Sequence, residues 1–326
     1  MREPLLEIKN LQKKYPIYGP LGKLFPPKTY HRAVSNMNLE LYEGETYGLV
    51  GESGCGKSTT GRSILGLVHP DSGEILYQGH DLTKLNDKEF RPLRRDLQMV
   101  FQDTLSSLNP RQRIGQLLEE PMIVQGMGDA NERRQKVLDI LKMVGLAEDH
   151  YFRYPHELSG GQVQRLGIAR ALIINPKLIV CDEPVSALDV SIQSQILNML
   201  TSLQKEMNLS LLFISHDIGV VRYISNRIGV MYLGSLVEEA ETDELFANTL
   251  HPYTKALFAS IPDFQKKERK VSLAGELPVY TDEFKGCVFH TRCPHACDKC
   301  RECAPELVEV IPGHKVACHL VNKETK

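Results

Sequence analysis

The stretch Thr46-Tyr47-Gly48-Leu49-Val50-Gly51-Glu52-Ser53-Gly54-Cys55-Gly56-Lys57-Ser58-Thr59 decides how this 326-residue chain is read. Its first five residues have the apolar character of a buried strand. The next eight, Gly51 to Ser58, fit G-x-x-x-x-G-K-[ST], and Thr59 to Leu67 reads as a helix. A strand, a glycine loop and a helix in that order form a cradle for a nucleotide's phosphates. A polyphosphate carries dense negative charge, and backbone N–H groups reach it only where no Cβ intervenes. Gly54 and Gly56 are therefore expected at the tight points. Lys57 can reach the β/γ oxygens, and the Ser58 hydroxyl can take a place on Mg²⁺. The helix starting near Lys57 adds its positive N-terminal end. Gly51, Ser53, Cys55 and Thr59 complete the candidate nucleotide-binding set.

Working outward, composition sets the frame. Hydrophobic residues make up 42% and charged residues 25%, which is ordinary for a globular protein of about two domains. The net charge is −2, and nothing electrostatic points to a nucleic-acid partner. No apolar run approaches the ~18 residues of a membrane span. Met1-Arg2-Glu3-Pro4 lacks the apolar core of a secretory signal, so the expected place is the cytosol, with any membrane contact made through a partner. Of eight cysteines, Cys55 and Cys181 stand alone and six crowd between Cys287 and Cys318. In a reducing compartment such crowding favours metal over disulfides.

Leu5 to Leu11 and Met37 to Leu41 alternate apolar and polar, which predicts half-buried antiparallel strands in residues 1–50. Pro16 to Lys28, rich in Pro and Gly, predicts a long loop. A hairpin is expected around Asp71-Ser72-Gly73. Residues 104–157 read as mostly helical, with Glu132 to Val144 the clearest amphipathic segment. Residues 159–245 alternate helix and strand, as a parallel sheet requires. Asp263 to Lys270 reads as a charged linker, and residues 271–326 as a small cysteine-rich tail.

Two further motifs carry chemistry. Leu178-Ile179-Val180-Cys181-Asp182-Glu183 is an apolar strand ending in two carboxylates, and ligands gather at the carboxyl ends of strands in open α/β sheets. Asp182 is placed to hold Mg²⁺ through water. Glu183 is placed to polarise an attacking water, as phosphoryl transfer needs. Leu158-Ser159-Gly160-Gly161-Gln162 opens a helix running to about Ile174. Ser159 suits the N-cap, and the glycines bare backbone N–H groups for a second anion site.

Together, LSGGQ, the phosphate loop and the carboxylate strand resemble the ATP-binding subunit of an ABC transporter over residues 5–245. Further matches follow in that family's order. Gln102 resembles the Q-loop glutamine, which touches Mg²⁺ and senses the membrane subunit. Ser186-Ala187-Leu188-Asp189 resembles the D-loop, and His216 the switch histidine that contacts the γ-phosphate. Tyr15 resembles the aromatic that stacks on adenine, with Tyr18 and Tyr30 as alternatives. The implied fold is α/β: a P-loop NTPase core of ABC type with a mixed sheet, an antiparallel β entry, a helical subdomain (about 104–165) and a small Cys-rich C-terminal extension. The implied division is residues 1–245 for the ATP-binding domain and 246–326 for the extension. The resemblance also implies a head-to-tail dimer, in which Ser159, Gly160, Gly161, Gln162 and Asp189 reach the ATP of the partner subunit.

His251-Pro252-Tyr253-Thr254, Gly275-Glu276-Leu277-Pro278 and the closing cysteine pattern resemble the oligopeptide/dipeptide importer ATPases, nearer the F-type than the D-type subunit. That resemblance implies a [4Fe–4S] cluster on Cys287, Cys293, Cys300 and Cys318. Four soft thiolates suit iron–sulfur or Zn²⁺, and spacing does not choose between them. Cys297 and Cys303 depart from the family pattern and leave a rival ligand set open, Cys293, Cys297, Cys300 and Cys303.

The expected function is an Mg·ATP-hydrolysing subunit that powers uptake of di- or oligopeptides. It would pair with a similar ATPase, as a heterodimer, on two transmembrane permeases at the cytoplasmic face of the inner membrane. An extracytoplasmic binding protein would deliver the solute. Asp103 to Gln125, with Asn109-Pro110-Arg111, would sit toward the permease. The alternatives are an importer of nickel or another solute, and a soluble ABC ATPase acting on ribosomes or nucleic acid.

Overall fold

The structure, a computed structural model, describes residues 3–18, 26–259, 278–281 and 284–321. The expected linker Asp263–Lys270 and most of the Gly275–Pro278 motif lie outside the described residues. The chain begins with β1 (Leu6–Ile17), β2 (Thr29–Leu41), β3 (Thr46–Val50), α1 (Lys57–Ile64), β4 (Ser72–Tyr77) and β5 (His80–Asp81). There follow α2 (Asp87–Phe90), β6 (Leu97–Val100), α3 (Ile114–Val124), α4 (Ala130–Met143), α5 (Gly160–Leu172), β7 (Leu178–Asp182), α6 (Val190–Met207) and β8 (Ser210–Ser215). The last part holds α7 (Ile218–Ile224), β9 (Arg227–Tyr232), β10 (Ser235–Glu241), α8 (Thr242–Ala247), α9 (Pro252–Ala259), α10 (Asp298–Glu302), β11 (Val308–Ile311) and β12 (His314–Val316).

These elements form two compact units. The first comprises Met1–Leu41, Thr46–Thr83 and Ser215–Lys326; the second comprises Tyr42–Glu45 and Lys84–Ile214. In the first unit, β2, β1, β4 and β5 make an antiparallel sheet. Its core face carries Leu6, Ile8, Leu11, Met37, Leu39 and Leu41, all buried, as the alternation predicts. The expected hairpin at Asp71–Gly73 is not there: Ser72 and Gly73 begin β4, which pairs with β1, and the tight turn falls at Gln78-Gly79 between β4 and β5. Pro16 and Ile17 belong to β1 rather than to the loop. Proline fits there because β1 pairs Pro16 with Tyr30 at the outer end of the sheet.

A mixed sheet completes the first unit. β3 runs parallel to β9, and β9, β10, β12 and β11 continue antiparallel. The tail strand β12 is thus bonded directly to β10, Glu238 opposite Val316 and Glu239 opposite Lys315. The second unit has the parallel strands β6, β7 and β8. β7 and β8 are buried at every position, which explains their unbroken apolar runs. Of the segment 104–157 expected to be mostly helical, α3 and α4 are the α-helices, and α5 is the helix expected after Leu158; Val137, Ile140 and Leu141 are the buried stripe of α4.

Candidate functional site

In the first unit, the fully buried strand β3 runs into the loop and the loop into α1. Gly54 has φ 82 and Gly56 φ 108, both left-handed. A Cβ on Gly54 would meet nothing within 4 Å, so conformation alone requires glycine there. At Gly56 space requires it as well: a Cβ would lie 2.0 Å from the Ala33 carbonyl oxygen. Ala33 is skipped in the pairing of β2 with β1, so this carbonyl is turned inward at a bulge. Gly51 and Cys55 are buried, Ser58 and Thr59 half-buried, and Ser53 and Gly54 exposed. Burial pushes the Cys55 thiol up, which suits a packing role for it.

Lys57, 4% exposed, donates from Nζ to the Gly51 carbonyl at 2.7 Å and the Glu52 carbonyl at 3.0 Å. No acidic residue occupies the first turn of α1, so the helix's positive end faces the loop uncompensated. His216, exposed, follows β8, and Asp217 caps α7 by accepting from the Val220 N–H at 3.2 Å. Tyr15 on β1 is 40% exposed and Tyr30 on β2 is 41% exposed. Tyr15 opposes His31 while Pro16 opposes Tyr30, so the two tyrosines lie on opposite faces of the sheet and only one of them can meet a given base. Tyr18, just past β1, is half-buried.

In the second unit, Asp182 ends β7 and is 1% exposed. Glu183, the next residue, has φ 49, an uncommon conformation for a residue with a Cβ. Its N–H is held by the Ile214 carbonyl at 2.9 Å, and Gln102 Nε2 donates to its Oε2 at 3.0 Å. Gln102 and the candidate base are therefore joined. An uncommon backbone conformation at a carboxylate so held makes Glu183 a candidate for chemistry. Ser159 is the N-cap of α5, and Gln162 Oε1 accepts the Ser159 N–H at 3.0 Å. The two glycines differ in role. A Cβ on Gly160 would meet only Leu188 Cδ2 at 3.7 Å, whereas one on Gly161 would strike Ile192 Cγ2 at 2.6 Å. Gly160 leaves the helix start bare, while Gly161 lets α5 approach α6. Asp189 caps α6 through the Ile192 N–H at 3.0 Å and the Ser191 hydroxyl at 2.7 Å. The hydroxyl and the N–H hold its carboxyl below the usual range.

The ABC transporter family model matches residues 34–186, and the model of the oligopeptide/dipeptide transporter C-terminal region matches residues 237–300. AppF, an oligopeptide transport ATP-binding protein of Bacillus subtilis (strain 168), is 50% identical over 98% of this chain and 98% of its own. OppF, an oligopeptide transport ATP-binding protein of Escherichia coli (strain K12), is 50% identical over 97% of this chain and 96% of its own. The dimeric structure of MJ0796, a bacterial ABC transporter cassette, matches at TM-score 0.65 and 34% identity, covering 73% of this chain and 98% of that one. This chain belongs to the oligopeptide/dipeptide family of ABC transporter ATP-binding proteins.

The family's tail motifs converge on residues that the sequence did not single out. Glu238, wholly buried in β10, accepts the N–H of Leu250 at 2.6 Å and of His251 at 3.2 Å, and contacts His314 Nε2 at 3.0 Å. It ties the His251–Thr254 segment to His314, which opens β12 after Pro312-Gly313. A charged pair inside the otherwise buried run Leu236 to Ala240 was the available signal. Tyr253 and Phe289 pack with Tyr232, ring centroids 4.6 and 5.2 Å away.

The tail thiols differ in exposure: Cys287, Cys300 and Cys318 are buried, Cys293 is half-buried. Burial pushes Cys287 up to about 11, and charge on Cys300, Cys318 and Cys293 adds to the effect. Cys297 and Cys300 stand 3.5 Å apart at sulfur, and Cys303 is exposed. Among the described residues, no group of three or more His, Cys, Asp or Glu side chains is arranged to hold a metal ion. The donor set implied by the family resemblance is therefore gathered but not in ligating geometry.

Proposed function

We propose that this chain hydrolyses Mg·ATP to power solute import, peptides being the cargo. One observation carries the reading: a strained carboxylate, Glu183, held by Gln102 in a chain 50% identical along nearly its whole length to oligopeptide transport ATP-binding proteins. The phosphate loop of residues 51–59 binds the triphosphate, with Lys57 on the β/γ oxygens. Ser58, Gln102 and Asp182 serve Mg²⁺, Glu183 polarises the water, and His216 meets the γ-phosphate. Tyr15 stacks on adenine. Ser159, Gly160, Gly161, Gln162 and Asp189 act on the ATP of a second, similar ATPase; that a similar cassette is dimeric supports pairing of two ATPases. Residues 1–245 form the ATP-binding domain, with its helical part about 104–165, and residues 246–326 the extension.

Among the described residues no helix is long and apolar enough to cross a membrane. Two permease subunits would supply the membrane part, placing this chain at the cytoplasmic face. Exposed Ile123 and Val124 at the end of α3, and exposed Leu105 in the turn Leu105–Ser107, support docking there. Cys287, Cys293, Cys300 and Cys318 would be the ligands of a [4Fe–4S] cluster or Zn²⁺; the Cys287 N–H donating to the Cys300 carbonyl at 2.7 Å supports the closeness of two of them. Anaerobic protein should carry iron and sulfide and absorb near ~400 nm; stoichiometric zinc without colour would reject the cluster.

The functional test is Glu183→Gln in the assembled transporter. Mg·ATP should still bind, while phosphate release and peptide uptake both fall by roughly 10²–10⁴, the usual cost of losing a general base. Normal turnover in this variant would remove Glu183 from the mechanism.

A further inference from the structure

The cysteine-rich tail reaches the phosphate loop. Arg292, one residue before Cys293, places Nη1 2.8 Å from Glu52 Oε2 and Nη2 3.2 Å from Glu52 Oε1, a two-pronged ion pair. Glu52 is the second residue of the loop, 240 residues away in sequence. The pair is well shielded, with the Arg292 side chain 8% and the Glu52 side chain 23% exposed. Nη1 also lies 3.4 Å from the Tyr232 hydroxyl. A residue of α9 grips the same loop residue: the Glu52 N–H donates to the Tyr253 hydroxyl at 3.0 Å. The Glu52 carbonyl in turn accepts Lys57 Nζ at 3.0 Å.

A carboxylate in a loop that must receive a triphosphate is an electrostatic liability. Half-buried, it would repel the ligand more strongly than in bulk water. It is tolerable where a fixed cation compensates it, and a guanidinium does this with both prongs. We propose that Arg292 is a positioning residue for nucleotide binding: it neutralises and fixes the Glu52 carboxylate, so that the loop presents a net attractive surface to Mg·ATP. The tail is thereby part of the ATP site's electrostatics. The proposal rests on reading residues 51–59 as the phosphate loop.

The test is Mg·ATP affinity of the full chain by titration calorimetry, with melting temperature followed alongside. Arg292→Ala should weaken binding roughly tenfold by leaving Glu52 unpaired, and less so as salt rises. Adding Glu52→Gln should restore most of the affinity, because no charge is then left uncompensated. Arg292→Lys should retain most of it. Unchanged affinity in Arg292→Ala, or a loss that Glu52→Gln fails to restore, overturns the proposal, the second result marking a purely structural role. Lys57→Ala in the same series tests the underlying reading: wild-type affinity there would overturn the loop assignment and the proposal together.

Discussion

At Glu183 and His251, local geometry outweighs residue type. Glu183 is one of many glutamates, but only its left-handed backbone and its bond from Gln102 separate it from an acidic loop residue. His251 is one of eleven histidines, and it is held as a buried, hydrogen-bonded ring whose Nδ1 accepts the Tyr253 N–H at 3.1 Å. It is 1% exposed, and burial drives its pKa down to about 3. The sign follows from linkage. The unfolded chain takes up this proton near pH 6.5 and the folded chain only near 3, so the contribution to stability is intact above about 6.5 and is lost as pH falls toward 3. Between pH 7 and pH 5, wild-type protein should lose about 2 kcal/mol more stability than His251→Gln. Denaturant midpoints at the two pH values check this; equal losses in both proteins would place a charged histidine in the folded state.

At the scale of elements, most of the site follows from short-range rules. The strand–loop–helix at 46–64, the carboxylate-ended β7 and the N-cap of α5 were legible because each depends on neighbours in sequence. Contacts across tens or hundreds of residues were not legible. The Asp71–Gly73 turn was misread because its glycine serves a close approach to β1, where a Cβ would lie 2.5 Å from the Asn10 carbonyl oxygen. Glycine at position 56 combines both demands, backbone and space. Gly56→Ala should therefore destabilise the loop by about 2 kcal/mol or more and abolish tight ATP binding. Melting temperature and calorimetric affinity report the two effects separately; an alanine variant with wild-type values in both would contradict the contact with Ala33.

At the scale of the whole molecule, the tail is where sequence reading stopped. Its motifs named a family, but the ties that join it to the rest of its unit are tertiary: Glu238 beneath HPYT, Arg292 on Glu52, β12 along β10. None of these follows a spacing rule, since each joins segments brought together by the sheet. The chain also presents two helix starts flanked by glycine, at α1 and α5, each suited to receive an anion. The most direct measurement is a structure of the assembled transporter carrying Glu183→Gln with Mg·ATP bound. The account predicts each triphosphate between Lys57 of one ATPase subunit and the Ser159–Gln162 segment or its equivalent in the other. A nucleotide enclosed by one subunit, with that segment far from any phosphate, would contradict it.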